Sequence, residues 1–530
     1  MRGLLICFVL FLNLSFANGQ EFLCPINRDL NIGLAPALIE DSAGFHTSMQ
    51  PYAYPDLKML KSYQALQRTD TMSGKFYSTW VGRKLFNEHL IQINSEGLKL
   101  SVDPLFNLQL GREQYSRKNI FLNTRGVLVQ GDVNGKFFFY TSFYENQARY
   151  ANYIDSLIHL NGVVPGQGKV KFLDNGQVDF SRSNGGMAYR PNKHFDFLLA
   201  QDKLFFGDGY RSMLWSDNSY PFPFLRANMT FWKFRYSVVY AVLQDLQSVP
   251  GANTGYAKKY STIHYLDLNI GKSNRFCVGI FEAVMWGSSA SRGYELHYLN
   301  PFLFLRPVEN SLGSPDNELL GLNLHWKAST KTMLYAQVML DEFLLNEVRS
   351  GKGWWGNKQG GQFGLKSFDL FGVKKLNVQT EINFARPFMF QHRTTGQDYV
   401  HYNQPIAHPL GADFVEWNSF LNYRWKRFFA EIRFQYAKAG KDTAGFNLGN
   451  SVFPSYDTRP SDYGYHFFTG RTSTLRGAGF RVKYLINPKT NFIIEAGFDT
   501  RDYSNSADHQ QARVIYFGIK TALDNYYFDF

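Results

Sequence analysis

Four stretches of this 530-residue chain concentrate carboxylates, amides, arginines and aromatic rings, side-chain types that a sugar-binding site would use. The first, Phe206 to Asn218, sets Asp208, Arg211, Asp217 and Asn218 beside Tyr210 and Trp215 and runs on into Tyr220-Pro221-Phe222-Pro223-Phe224. The second, Tyr298 to Glu309, carries Arg306 and Glu309 and continues to Asp316 and Asn317. The third pairs Asp341-Glu342 with Gly353-Trp354-Trp355-Gly356, and the fourth is Glu381-Ile382-Asn383-Phe384-Ala385-Arg386-Pro387. A sugar offers a rim of hydroxyls and apolar C–H faces, so carboxylates, amides and Arg mixed with flat rings suit it. The same charges also suit an ion-pair network inside a filled barrel, and Trp354 and Trp355 also suit a membrane interface. Hydrolysis has less behind it. Ser216-Asp217 with His297 or His408 names the residue types, but there is no Gly-x-Ser-x-Gly elbow, zinc helix or phosphate-binding loop. The twelve His residues show no metal-ligand spacing, so neither a metal nor a cofactor is expected.

The elements that must position these residues are strands with two unlike faces. Val378, Thr380, Ile382 and Phe384 alternate with Asn377, Gln379, Glu381 and Asn383. Ala430, Ile432, Phe434 and Tyr436 alternate with Glu431, Arg433 and Gln435, and the stretches from Leu320 and Phe480 repeat the rhythm. Successive strand side chains point to opposite faces, so each segment separates an apolar surface from a charged one. That pattern fits a transmembrane β-barrel with lipid outside and water inside.

A β-sandwich alternates too, so length and address decide. The strand pattern runs from about Lys99 to Lys520 without a linker, far beyond a sandwich of about 100 residues. Arg2, the apolar run Leu4 to Leu12, and small residues at Ala17 and Gly19 read as a signal peptide, 1–19. No later run reaches the 18 or so apolar residues of a helical span, and mean hydropathy is −0.30. Aromatic content of 17% suits interfacial girdles. The net charge of +12 is spread through strands and loops, which argues against nucleic acid and for a lumen or an anionic leaflet. Cys24 and Cys277 read as unpaired thiols.

Residues 20–92 differ from the barrel pattern of 93–530. Loosely helical spacing over Asp56 to Gln67 and Ser78 to Ile91 predicts short helices at the periplasmic mouth, placed to plug the lumen. Beyond them, Asn134-Gly135 predicts a two-residue hairpin turn. Candidate outer loops are Asn146 to Asn192, Gln247 to Tyr260, Gln391 to Asp413 and Ala439 to Thr474. The rhythm allows about 16 to 18 strands. Val514 to Thr521 reads as the last strand, with Asp524 to Phe530 a short tail at the rim.

In order and spacing the four stretches resemble the Wzi family of outer-membrane capsule-assembly proteins, and more closely its relatives of the RemB gliding-motility type. The resemblance covers nearly the whole mature chain, and its first two motifs are the more specific. It implies an all-β outer-membrane barrel of 18 antiparallel strands, occluded by helices and loops. It further implies a non-enzymatic, lectin-like role at the surface of a Gram-negative cell. Extracellular or capsular polysaccharide and motility or surface-export proteins would be the partners. A porin or solute channel is the competing expectation.

Overall fold

The computed structural model describes residues 23–40, 44–60, 72–248, 255–288, 292–305, 308, 313, 316–443, 445–521 and 524–530; the expected signal peptide lies outside them. Among the described residues, eighteen long antiparallel strands close into a barrel. Each pairs with the next in sequence, and His509–Lys520 closes on Leu98–Glu113 with Lys520 opposite Asn107. A short strand, Ile91–Ser95, leads in by pairing with the start of Leu98–Glu113.

The alternation sorts the two faces. Ile382, Ile432 and Val482 stand exposed on the outside, whereas Gln379, Glu381 and Gln435 are buried within. Short connections such as 134–136, 232–233, 328–331 and 426–427 gather at one end, which is periplasmic by the usual orientation of bacterial barrels. Exposed Trp232, Trp326, Phe371 and Trp425 ring that end as an interfacial girdle. Long connections, 150–176, 203–221, 288–316, 343–357, 386–413 and 440–472, leave the other end.

Two turn and loop expectations change. Val133 pairs with Phe137, so the turn at Asn134-Gly135 has three residues, with φ of 55° and 68° at those two positions. The stretch 146–192 is not one outer loop, because Gln177–Tyr189 is a barrel strand between Phe137–Arg149 and Phe195–Asp202. Its signal is inverted: Val178 and Phe180 point inward against Ile154 and Ile158 of the helix Asn152–Asn161. Gly185 and Gly186 then dilute the pattern, and at Gly186 a Cβ would meet Tyr140 at 2.8 Å.

Among the described residues, four segments occupy the lumen beside the helix Asn152–Asn161. The helix Arg28–Glu40, which has no clear periodic signal and contains Pro36, lies across the periplasmic end. Arg28 pairs with Glu431, Lys483 Nζ lies 2.5 Å from Asp29, and Lys327 Nζ donates to the Leu38 carbonyl at 3.1 Å. Of the two expected helices, Trp80–Phe86 forms within 78–91, capped by Thr79, and Tyr54–Leu57 makes a single turn; residues 61–67 lie outside the described set. From the opposite end, 203–221 folds down until Phe205–Phe206 pairs with Met49–Gln50. The connection 386–413 packs over it, with Tyr399 donating to the Leu214 carbonyl at 2.7 Å. The C-terminal tail is the fourth. It leaves the rim and threads the lumen, where Asp524 meets Arg182 at 2.6 Å and Phe528 packs on Tyr150. The last strand already ends at Lys520, so the tail's rings find partners inside instead of extending the sheet.

Ile432→Arg or Val482→Arg should cost about 2 to 4 kcal/mol near the bilayer midplane and reduce the heat-modifiable folded fraction. Ser329→Arg, in an exposed periplasmic turn, should leave it unchanged. Equal yields across the three would contradict the assignment of faces.

Candidate functional site

The first polar-aromatic stretch sits in the lumen, and Arg211 is its centre. The guanidinium lies 3.2 Å from Glu416 and 3.1 Å from Asp529, with a further bond to the Asp529 carbonyl at 3.0 Å. Glu381 accepts the backbone N–H groups of Tyr210 and Arg211 at 2.7 and 2.9 Å, and Tyr210 donates its hydroxyl to Asp529 at 2.6 Å. The guanidinium thereby joins the infolded segment to the wall strand Phe414–Trp425 and to the tail, and the backbone of Tyr210 and Arg211 joins it to a second wall strand, Leu376–Ala385.

The rest of the stretch is equally enclosed. Asp208 accepts from Thr47 at 2.5 Å and faces His325 at 3.1 Å. Burial alone would raise its carboxyl, but the His325 ring and the Thr47 hydroxyl outweigh that and hold it at about 2. Asp217 accepts from Tyr527 at 2.8 Å and Asn525 at 3.0 Å; burial raises its carboxyl, and Lys203 opposes the rise. Asn218 donates to the Pro405 carbonyl at 3.0 Å, and Trp215 is fully buried between Phe222 and Tyr399. Ser216 donates to the carbonyls of Ile406 and Ala407, whereas His408 faces Glu416 and His297 lies on an exposed loop beside Glu295. These groups form no hydrolytic triad. A cavity of about 80 Å³ remains at the periplasmic side, lined by Arg28, Asn31, Asp208, Tyr210, Gln379 and Tyr527.

The four stretches do not form one cluster: Glu381 of the fourth joins the first, while Asp316 of the second and Asp341 of the third stand apart. Asp316 sits at the extracellular rim, gripped by both arms of Arg292 at 2.7 and 2.6 Å, by Tyr298 and by Gln397. Arg306 and Glu309 lie outside the described residues. Asp341, Trp354, Trp355 and Arg386 meet elsewhere, at the extracellular mouth. Lys358 bridges Asp341 at 3.3 Å and the Gln391 carbonyl at 3.0 Å, and Asp341 also accepts from the Phe390 N–H. Arg386 donates to the carbonyls of Asn357 and Tyr465.

That mouth is the part of the set with a surface. Trp355, half-buried, stacks 4.5 Å from Tyr456 with the Arg459 guanidinium 4.0 Å over its ring, and Trp354 leans on it at 5.7 Å. Gly353 makes the corner, with φ of 69° and the Tyr465 carbonyl only 2.6 Å from where a Cβ would stand. Exposed pairs, Arg393 with Asp457 and Arg459 with Asp462, border the rings. Sequence reasoning missed Tyr456, Arg459, Arg393, Asp457 and Asp462. For Tyr456, Asp457 and Arg459 the signal lay in residues 454–460, whose aromatic and polar mix within an expected outer loop is like that of the first stretch. Rings edged by carboxylates and guanidinium groups can stack on sugar C–H faces and bond hydroxyls.

Among the described residues one group of metal-ligand types also comes together, His46, Asp267 and Cys277. They satisfy one another: His46 Nδ1 lies 3.1 Å from Asp267, and the Cys277 thiol donates to the same carboxylate. Cys24 and Cys277 are both buried and form no disulfide, as read from the sequence.

No family model and no curated protein matches the chain. Among solved structures it is similar to Wzi of Escherichia coli, an outer-membrane protein involved in group 1 capsule assembly and described as a carbohydrate-binding β-barrel. The TM-score is 0.56 at 12% identity, covering 95% of this chain and 100% of that one. Pseudomonas aeruginosa OpdK with vanillate scores 0.43 at 9% identity, covering 80% of this chain and 98% of that one. OccK9 of the same species scores 0.45 at 10% identity, covering 81% and 99%. At such identities the likeness is one of fold: an outer-membrane β-barrel.

Arg211→Ala should leave Glu416 with His408 and Asp529 with Arg433 as their remaining partners and destabilise the barrel by about 3 kcal/mol. The expected readout is a lower heat-modification temperature with unchanged insertion of the strands; an unchanged temperature would mean that the node carries no stability.

Proposed function

We propose that this protein is a non-enzymatic outer-membrane barrel that binds or organises extracellular polysaccharide through its outer loops. The observation that carries the reading is the filled lumen. Met49 and Ala53 near the N-terminus and two infolded loops share one buried apolar core that includes Phe206, Leu214, Trp215, Met389, Tyr399 and Ile406, and the C-terminal tail packs in two smaller clusters through Phe528 and Tyr527. A solute channel needs a wetted path lined by polar groups, whereas here the interior polar groups bond to one another. The fold likeness to Wzi, itself described as carbohydrate-binding, supports the same direction. Trp354, Trp355, Tyr456 and Arg459 supply the stacking surface, with Asp341, Lys358 and Arg386 holding it in place.

Within this reading the chain belongs on the surface of a Gram-negative cell after signal-peptide removal, among capsule-assembly or surface-export partners. The RemB-type motif resemblance adds a role in surface motility and rests on the motifs alone.

Retention of the purified protein on a panel of capsular and surface glycans tests the reading, alongside planar-bilayer recordings. The expected outcome is glycan retention without steady conductance, with Trp355→Ala losing roughly tenfold in affinity, the scale of one aromatic contact. Large, stable channels from the intact protein would instead establish the porin reading. Retention unaffected by Trp355→Ala and Arg459→Ala would remove the mouth as the site.

A further inference from the structure

Residues 292–305 leave the extracellular end of the barrel but run down its outside wall. Alternation along the strands makes this plain. Ile270, Ile280, Leu320 and Leu322 are exposed on the lipid-facing side. The same parity puts Thr262, His264, Glu282, Trp286 and Glu318 on that face, with Tyr236 and Tyr240 on the adjoining strand. Apart from Tyr240 these outward residues are buried, and residues 292–305 lie over Thr262, Glu282 and Trp286 among them.

The covering is bonded, not merely apposed. Tyr240 donates to the Leu299 carbonyl and Thr262 to the Tyr298 carbonyl, each at 3.0 Å. Glu282 accepts the backbone N–H groups of Phe304 and Leu305 at 2.9 and 2.7 Å, and Tyr298 and Leu305 pack on Val284 and Trp286. Irregular backbone survives at membrane depth only where its polar groups find protein partners. That accounts for a carboxylate and hydroxyls on a wall that is otherwise apolar.

The far side of the segment is greasy. Leu296, Phe302 and Phe304 are 70%, 70% and 67% exposed, and Leu299 is exposed beside them. Depth agrees, since Leu225 and Leu199, in register with Tyr240, belong to the exposed apolar band. Polar Arg292, Glu295 and His297 fall at the start of the segment, near the rim, and the aromatic pair lies deepest.

We propose that residues 292–305 form a lipid-embedded flap, an extracellular loop that returns along the barrel wall and seats Leu296, Leu299, Phe302 and Phe304 among acyl chains of the outer leaflet. Glu282 is its latch at depth. At the rim, Asp316 clasps Arg292 and Tyr298 of the flap and also Gln397 of the lumen-filling segment, so the membrane anchor and the plug share one carboxylate. The hydrocarbon is the partner because the covered wall is the lipid-facing one. This inference stands apart from the glycan reading.

The test is fluorescence quenching on the full chain in phosphatidylcholine vesicles, with a bimane label at Phe302→Cys and a control label at Ser461→Cys on an exposed outer loop. The unsubstituted protein, in which Cys24 and Cys277 are buried, reports background labelling. Brominated acyl chains should quench the Phe302 position several-fold more than the Ser461 position, with iodide showing the reverse order. Adding Glu282→Ala should shift the Phe302 label toward iodide while the barrel stays heat-modifiable, because the latch lies outside the sheet's bonding. Quenching by iodide equal to that at Ser461 would place the segment in water. Protection from both quenchers would mean that protein covers the patch. Either result overturns the flap.

Discussion

The interior of this barrel depends on a single buried guanidinium. Arg211 reaches Glu416 on the wall and Asp529 in the tail, and its own backbone N–H is held by Glu381. Removing two carboxylates and a cation from water is costly, and further partners offset it: Glu416 also accepts from His408 and Gln435, and Asp529 from Tyr210 and Arg433. Such a node specifies geometry more than it adds stability. It sets how deep the infolded segment descends, and so places Phe205–Phe206 against Met49–Gln50, the point where the two ends of the plug meet.

With the lumen filled, the two rims inherit the remaining tasks. At the periplasmic end the helix Arg28–Glu40 is pinned by charge to Glu431 and Lys483, the mark of a fixed seal. At the extracellular end, Lys358 draws Asp341, Gln391 and the rings of Trp355 and Tyr456 into one body. A recognition surface gains from such rigidity, since ordering loops on binding costs affinity. The outer wall makes the same point in reverse. Glu282 and Thr262 would be misplaced against lipid, and they are accommodated because a segment of the chain's own backbone lies over them.

What the sequence determined by itself was the wall. A side-chain period of two is local, so the outward Ile382, Ile432 and Val482, the inward Gln379 and Gln435, and the last strand before the tail were legible from neighbours a few residues apart. Of the candidate site residues, Asp341, Trp354 and Trp355 of the third stretch share the extracellular mouth with Arg386 of the fourth, which the sequence had set in a separate stretch. What only the tertiary structure decided was which polar clusters face each other and which face solvent. Asp208, Arg211 and Asp217 carry the same chemistry whether they meet a sugar or a protein carboxylate, and their partners stand far away in sequence, at His325, Glu416 and Tyr527. The tail's Phe528 and Phe530 alternate like a strand end and yet turn inward, because Tyr150 and Tyr153 offer them ring contacts and Arg501 donates to the Phe530 carbonyl inside the barrel. Periodicity reports a residue's face; closure of the barrel alone decides what that face will touch.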